Sequence, residues 1–190
     1  VYPRDVINQI SKGHIRASTL EIKAGVPIER GFMSEIMSLT FKDNPDSARG
    51  KDAYDLIFEE AGSFGTPGLL KDSYVASEDC VMDGDIKTGL ITIFGTSGDM
   101  TGGTADYAEM HSSPLAFGLL PFQNVWDKDS EDMKCGFFHP ISWNMPGHYD
   151  EQGNSDKASA ISSELATRKF RVDNGATNAA MQKRMQEKPL

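Results

Sequence analysis

The chain has 190 residues, 38% hydrophobic and 25% charged, with a formal net charge of −9. That length suits one domain with a sizeable core, and no apolar run approaches the roughly eighteen residues that cross a membrane. The acidic balance argues against a tight, stand-alone nucleic-acid module, whose affinity comes largely from neutralising phosphates; it leaves room for contact with nucleic acid through a few residues or through another domain.

Cys80 and Cys135 stand far apart and match no zinc spacing, and two isolated thiols suit a reducing compartment. No basic-then-apolar leader opens the chain. It begins on Val1 and ends on "EKPL", so it is expected to be a piece of something longer.

In chain order, residues 2 to 12 predict a short helix after Pro3. Residues 18 to 31 and 31 to 41 carry β-branched and apolar residues in partial alternation and predict two strands joined by a turn at Arg30-Gly31. Residues 42 to 52 have the composition of a loop, 54 to 58 form a short strand, and "GSFGTPG" breaks the chain again. A helix is expected through "LLKDSYVAS". Residues 87 to 97, "KTGLITIFGTS", form the clearest strand, apolar on both faces as in a covered sheet. "TGGTADYAEMHSSP" reads as a glycine turn and a helix capped by Thr104 that stops before Pro114. Residues 115 to 150 look irregular. Two helices follow, the first capped at Asn154 or Ser155. No internal repeat or low-complexity run is present.

Two buried strands separated by a helical crossover predict a parallel α/β sheet, whose ligands sit at the carboxyl ends of the strands. Glu59 and Glu60 end one strand; Thr96, Ser97, Gly98 and Asp99 end the next. An apolar run closed by two acids has the form of a Walker B motif. One acid helps to hold Mg²⁺ and the next orients the water that attacks the γ-phosphate. Solvated acids at a strand end are the alternative, and Glu59 stands where most such motifs have Asp. A capped turn is the alternative at Thr96 and Ser97.

Taken together, "NPDSARGKDAYDLIFEEAGSF", "GLITIFGTSGDMTGGTADYAEMHSSP", "GLLPFQNVWDKD" and "CGFFHP" resemble the ATPase region of tailed-phage terminase large subunits, over roughly Ser38 to Pro189. The resemblance implies a partial P-loop NTPase core of the RecA-like class: a mainly parallel sheet flanked by helices over residues 1–114, and an irregular and helical remainder over 115–190. It implies that Glu59 is the metal-side acid and Glu60 the catalytic carboxylate. Thr96, Ser97 and Gly98 would couple hydrolysis to DNA movement. Arg49 would be a finger reaching a neighbouring subunit's nucleotide, as suits an always-charged fork; a surface loop arginine is the other reading.

ATP and Mg²⁺ are the implied cofactors. The implied partners are double-stranded DNA, the portal protein, the small terminase subunit and further copies in a ring, in the cytoplasm of an infected bacterial host. The family's glycine-rich phosphate loop is absent, since Gly50-Lys51 lacks the upstream glycine and the following Ser or Thr. It is expected upstream of Val1, and a nuclease domain downstream of Leu190, so these residues alone are expected to bind nucleotide weakly and not to hydrolyse it.

Other residues have plainer readings. His111, His139 and His148 lack metal-site spacing, residues 148 to 156 form a polar surface loop, and Cys135 is a buried small apolar group. Met37, Met181 and Met185 are packing residues. Trp126 is a packing anchor, with no role evident for Asn124 or Asp127. A helicase half-domain using the same two acids, and a non-catalytic assembly protein, stay open as alternatives.

Overall fold

The computed structural model describes residues 13–96, 103–126 and 133–190, so the helix read near Pro3 lies outside them. The described residues form a mixed α/β structure. In order they are β1 (His14–Lys23), β2 (Val26–Met37), β3 (Asp55–Phe58), α1 (Leu69–Ser77), β4 (Met82–Asp83), β5 (Ile86–Lys87), β6 (Leu90–Ile93), α2 (Thr104–Ser112), β7 (Phe122–Gln123), β8 (Lys134–Cys135), α3 (Lys157–Asp173) and α4 (Asn178–Glu187).

The parallel pair is β3 and β6, with Asp55 opposite Leu90 and Phe58 opposite Ile93. The crossover between them carries α1, as a parallel connection requires, and the small β4–β5 hairpin. The remaining sheets among the described residues are antiparallel pairs, so the expected mainly parallel sheet is reduced to this one pair.

The core gathers where the pair meets α1 and α2. Phe58, Ala61, Leu70, Tyr74 and Met110 are buried together, with Leu56, Ile91 and Ile93 packed against them. Tyr74 donates its hydroxyl to the Phe117 carbonyl at 2.6 Å, tying α1 to the chain beyond α2. The second face of the pair departs from expectation: Ile57 is 61% and Leu90 56% exposed. The strand read over 87–97 is four residues long, Leu90–Ile93, and its side chains alternate between the core face and an exposed face.

The first two strands form a long hairpin with a different turn from the one expected. The chain reverses at Ala24 and Gly25, both at positive φ, which a tight two-residue hairpin turn favours. Gly31 instead sits inside β2 at φ 130°, beside a bulge opposite Ala17 and Thr19. Charged pairs line the hairpin, Arg16 with Glu35 and Glu29, and Arg30 with Glu21. Its apolar residues, Phe32 above all at 92%, are exposed.

Two caps also differ. Gly103 occupies the N-cap of α2 and Thr104 is its first helical residue. At α3 the cap is Asp156, whose carboxylate accepts from the Ser159 amide at 3.0 Å; Asn154 instead donates to Asp150 within the preceding exposed turn. Met37 and Met185 are exposed rather than packed. Trp126 does pack, edge-on to Phe138 and 5.4 Å from Trp143. Both cysteines are free and buried.

Candidate functional site

The two acids leave the parallel pair through an irregularity of the ladder. Phe94 donates its amide to the Phe58 carbonyl at 3.0 Å, and the Phe94 carbonyl accepts from Ala61 at 3.1 Å. A regular parallel ladder would take that second bond from residue 60. The extra residue is absorbed by Glu60, which adopts the left-handed conformation, φ 54° and ψ 41°. That region is costly for a side chain with a Cβ and persists only where surrounding contacts impose it.

Those contacts are specific. The turn Ala61–Ser63 follows at once, with Ser63 N–H donating to the Glu60 carbonyl at 2.7 Å. The Thr104 hydroxyl donates to the Gly62 carbonyl at 2.7 Å, and Gly103 N–H to the Phe64 carbonyl at 2.6 Å. Gly95 lies so close that a Cβ there would stand 2.6 Å from the Ala61 nitrogen, and one on Gly103 would overlap the Phe64 carbonyl. The acids thus project from a turn fixed on one side by the end of β6 and on the other by the start of α2.

Glu59 and Glu60 are both exposed and line a cleft of about 450 Å³ with Lys42 and Ser63. Its floor is aromatic. Phe41 stacks on Phe58 at 5.2 Å between ring centroids, and Phe64 lies 6.3 Å from each. The only hydrogen bond to the Glu60 carboxylate among the described residues comes from Ser63 Oγ, at 3.5 Å. Two exposed carboxylates on an open cleft offer oxygen ligands of the kind Mg²⁺ takes, one or two from protein and the rest from water and phosphate. No group of three or more His, Cys, Asp or Glu among the described residues could hold a metal ion without such outside ligands.

The other expected site residues separate. Thr96 is exposed just past the end of β6 and does not line the cleft. Ser97 and Gly98 lie outside the described residues, as does Asp127. Arg49 is also away from the cleft: it pairs with Asp46 at 3.0 Å, and its side chain is 68% exposed. The histidines have separate neighbours: His139 meets Trp143 edge-on, His148 shares a hydrogen bond with Ser159, and His111 is partly buried, which lowers its pKa.

The sequence reading missed Lys42, Ser63 and the supporting role of Thr104, for which spacing gave no signal. It also missed Glu164. That carboxylate is 1% exposed and accepts from Arg168 Nε at 3.0 Å and from Arg184 at 2.9 and 2.5 Å. Burial alone would push its pKa up; the bonds from the two arginines outweigh that and hold it below the ordinary value of 4.5. The four-residue spacing of Glu164 and Arg168 is the signal that could have found it.

Among the described residues, no helix is long and apolar enough to cross a membrane. Comparison of the chain with protein families, with curated proteins and with solved structures gives no match.

Proposed function

We propose that this chain is the ATPase-motor portion of a tailed-phage terminase large subunit, a P-loop NTPase core that couples ATP hydrolysis to packaging of viral DNA into the procapsid. One observation carries the reading: two adjacent exposed acids leave the carboxyl end of a parallel strand, the second on a strained left-handed backbone, and both line one cleft. Backbone strain of this kind clusters at active sites and ligand clamps.

In this reading Glu60 accepts a proton from the attacking water, and its rigid backbone sets the direction of attack. Glu59 is the metal-side acid. Mg²⁺, when bound, neutralises charge on the phosphates. Lys42, on the same cleft, is a second source of positive charge for them. Arg49 acts on a neighbouring copy's nucleotide; its exposure and its distance from the cleft of its own chain support a role in trans. Thr96, Ser97 and Gly98 link the nucleotide to the DNA-moving elements. Double-stranded DNA, the portal protein and the small terminase subunit are the partners, in the cytoplasm of an infected bacterial host.

The test is Mg²⁺-dependent ATP turnover by the full-length protein, with and without DNA, beside Glu60→Gln. Turnover that disappears in the variant while ATP still binds supports the reading. Turnover retained within a few-fold removes Glu60 from the mechanism, and no turnover even in the assembled motor favours a non-catalytic assembly protein.

A further inference from the structure

The acid turn is held by a buried contact that the proposed chemistry does not itself require. The Thr104 side chain is sealed from solvent, and its hydroxyl donates to the carbonyl of Gly62, two residues beyond Glu60, at 2.7 Å. Thr104 is the first residue of α2 and does not cap the helix, so this bond points away from the helix and into the turn. The neighbouring Gly103 amide reaches the Phe64 carbonyl at 2.6 Å, so α2 grips the turn at two successive points. On the opposite side the Ala61 amide is tied to Phe94 at the end of β6. Glu60 stands between these anchors at φ 54°, and its carboxylate has one long bond, from Ser63. A side chain held so loosely takes its direction from its backbone.

We infer that Thr104 is a positioning residue for Glu60: its hydroxyl fixes the Gly62 carbonyl, and through the turn Ala61–Ser63 maintains the left-handed backbone that aims the Glu60 carboxylate into the cleft. The inference rests on the ATPase reading of Glu60. The loss of the hydroxyl frees the turn to relax toward ordinary backbone geometry. Misplacing a catalytic group by about an ångström costs on the order of a hundredfold in rate, and partial relaxation costs part of that.

The experiment measures kcat for ATP and the dissociation constant of a fluorescent ATP analogue on the full-length protein. The variants are Thr104→Val, Thr104→Ser, Glu60→Gln and the Thr104→Val/Glu60→Gln double variant. Thr104→Val is expected to lower kcat about tenfold or more, with nucleotide affinity within about twofold of wild type. Thr104→Ser, which keeps the hydroxyl, restores kcat. In the Glu60→Gln background Thr104→Val adds no further loss, because residues acting as a unit are not additive.

A Thr104→Val effect of the same size in both backgrounds would overturn the inference, as would unchanged kcat or a loss that Thr104→Ser does not rescue. Should Thr104→Val fail to melt cooperatively, Thr104→Ala removes the same hydroxyl without pressing a methyl group on Gly62 and is read the same way. Turnover that depends on Glu60 but ignores Thr104 sinks this inference alone. Turnover that does not depend on Glu60 sinks the ATPase reading, and this inference with it.

Discussion

At the end of β3, Glu60 stands exposed on a left-handed backbone with a single long hydrogen bond from Ser63. Between α3 and α4, Glu164 is sealed from solvent and accepts three bonds from Arg168 and Arg184. The side chain is the same and the surroundings are opposite. Around Glu164 the side chain is satisfied and the backbone is ordinary helix, so its oxygens have little capacity left for a water or an ion. Around Glu60 the effort goes into the backbone, through Thr104, Gly103 and the end of β6, and the carboxylate is left with capacity to spare. A satisfied acid holds a fold together; an unsatisfied acid on an imposed backbone is available for chemistry.

The strongest way to break this comparison is to neutralise each acid in turn. Glu60→Gln should lower ATP turnover of the full-length protein by three to four orders of magnitude, the upper part of the range for a general base, while the urea midpoint stays near wild type. If the midpoint falls and turnover survives, the two glutamates have been assigned the wrong way round.

Arg49→Ala asks whether the site is complete within one chain. Hydrolysis by the assembled ring should fall about a thousandfold, as for an arginine finger, with ATP binding by a single subunit unchanged. Weaker binding by the isolated subunit would instead place Arg49 at its own chain's nucleotide.

Glu164→Ala should reverse the Glu60 pattern. Removing one partner of a buried ion pair strands the others and costs about 3–5 kcal/mol, measurable by urea denaturation. The pH dependence sharpens the point. Because the folded pKa of Glu164 lies below its ordinary value, the unfolded chain binds the proton more readily in the window between the two. Its contribution is therefore complete above pH 4.5, the unfolded value, and is lost as pH falls through the folded value. Glu164→Gln should make stability less dependent on pH in that acid range, and an unchanged profile would remove the carboxylate from the network's energetics.

The smallest effect is expected at the hairpin. Phe32 is 92% exposed, so Phe32→Ser should change stability by no more than about 0.5 kcal/mol. A larger loss by calorimetry would mean that this side chain is covered in solution.

The features legible in the sequence are those that local chemistry dictates. The short run before Glu59 reads as a strand because it is apolar and closed by acids, and "LLKDSYVAS" reads as a helix between breakers; the helix spans those nine residues. The parallel pairing followed from the crossover. The errors arise where tertiary contacts choose between local options. Two glycine turns were available in the hairpin; Ala24-Gly25 took the reversal and Gly31 the bulge. Thr104 has the composition of a helix cap, yet Gly62 offers its hydroxyl a buried partner from another element. The exposure of Ile57 and Leu90 depends on what covers the sheet, which the strand's own residues do not encode.

Gly95 and Gly103 have a consequence for how this chain can vary. Every amino acid other than glycine would add, at either position, the one atom for which the Glu60 turn has no room. No conservative replacement exists there, and size or polarity is irrelevant to the outcome. At these two positions a single substitution would move the acids.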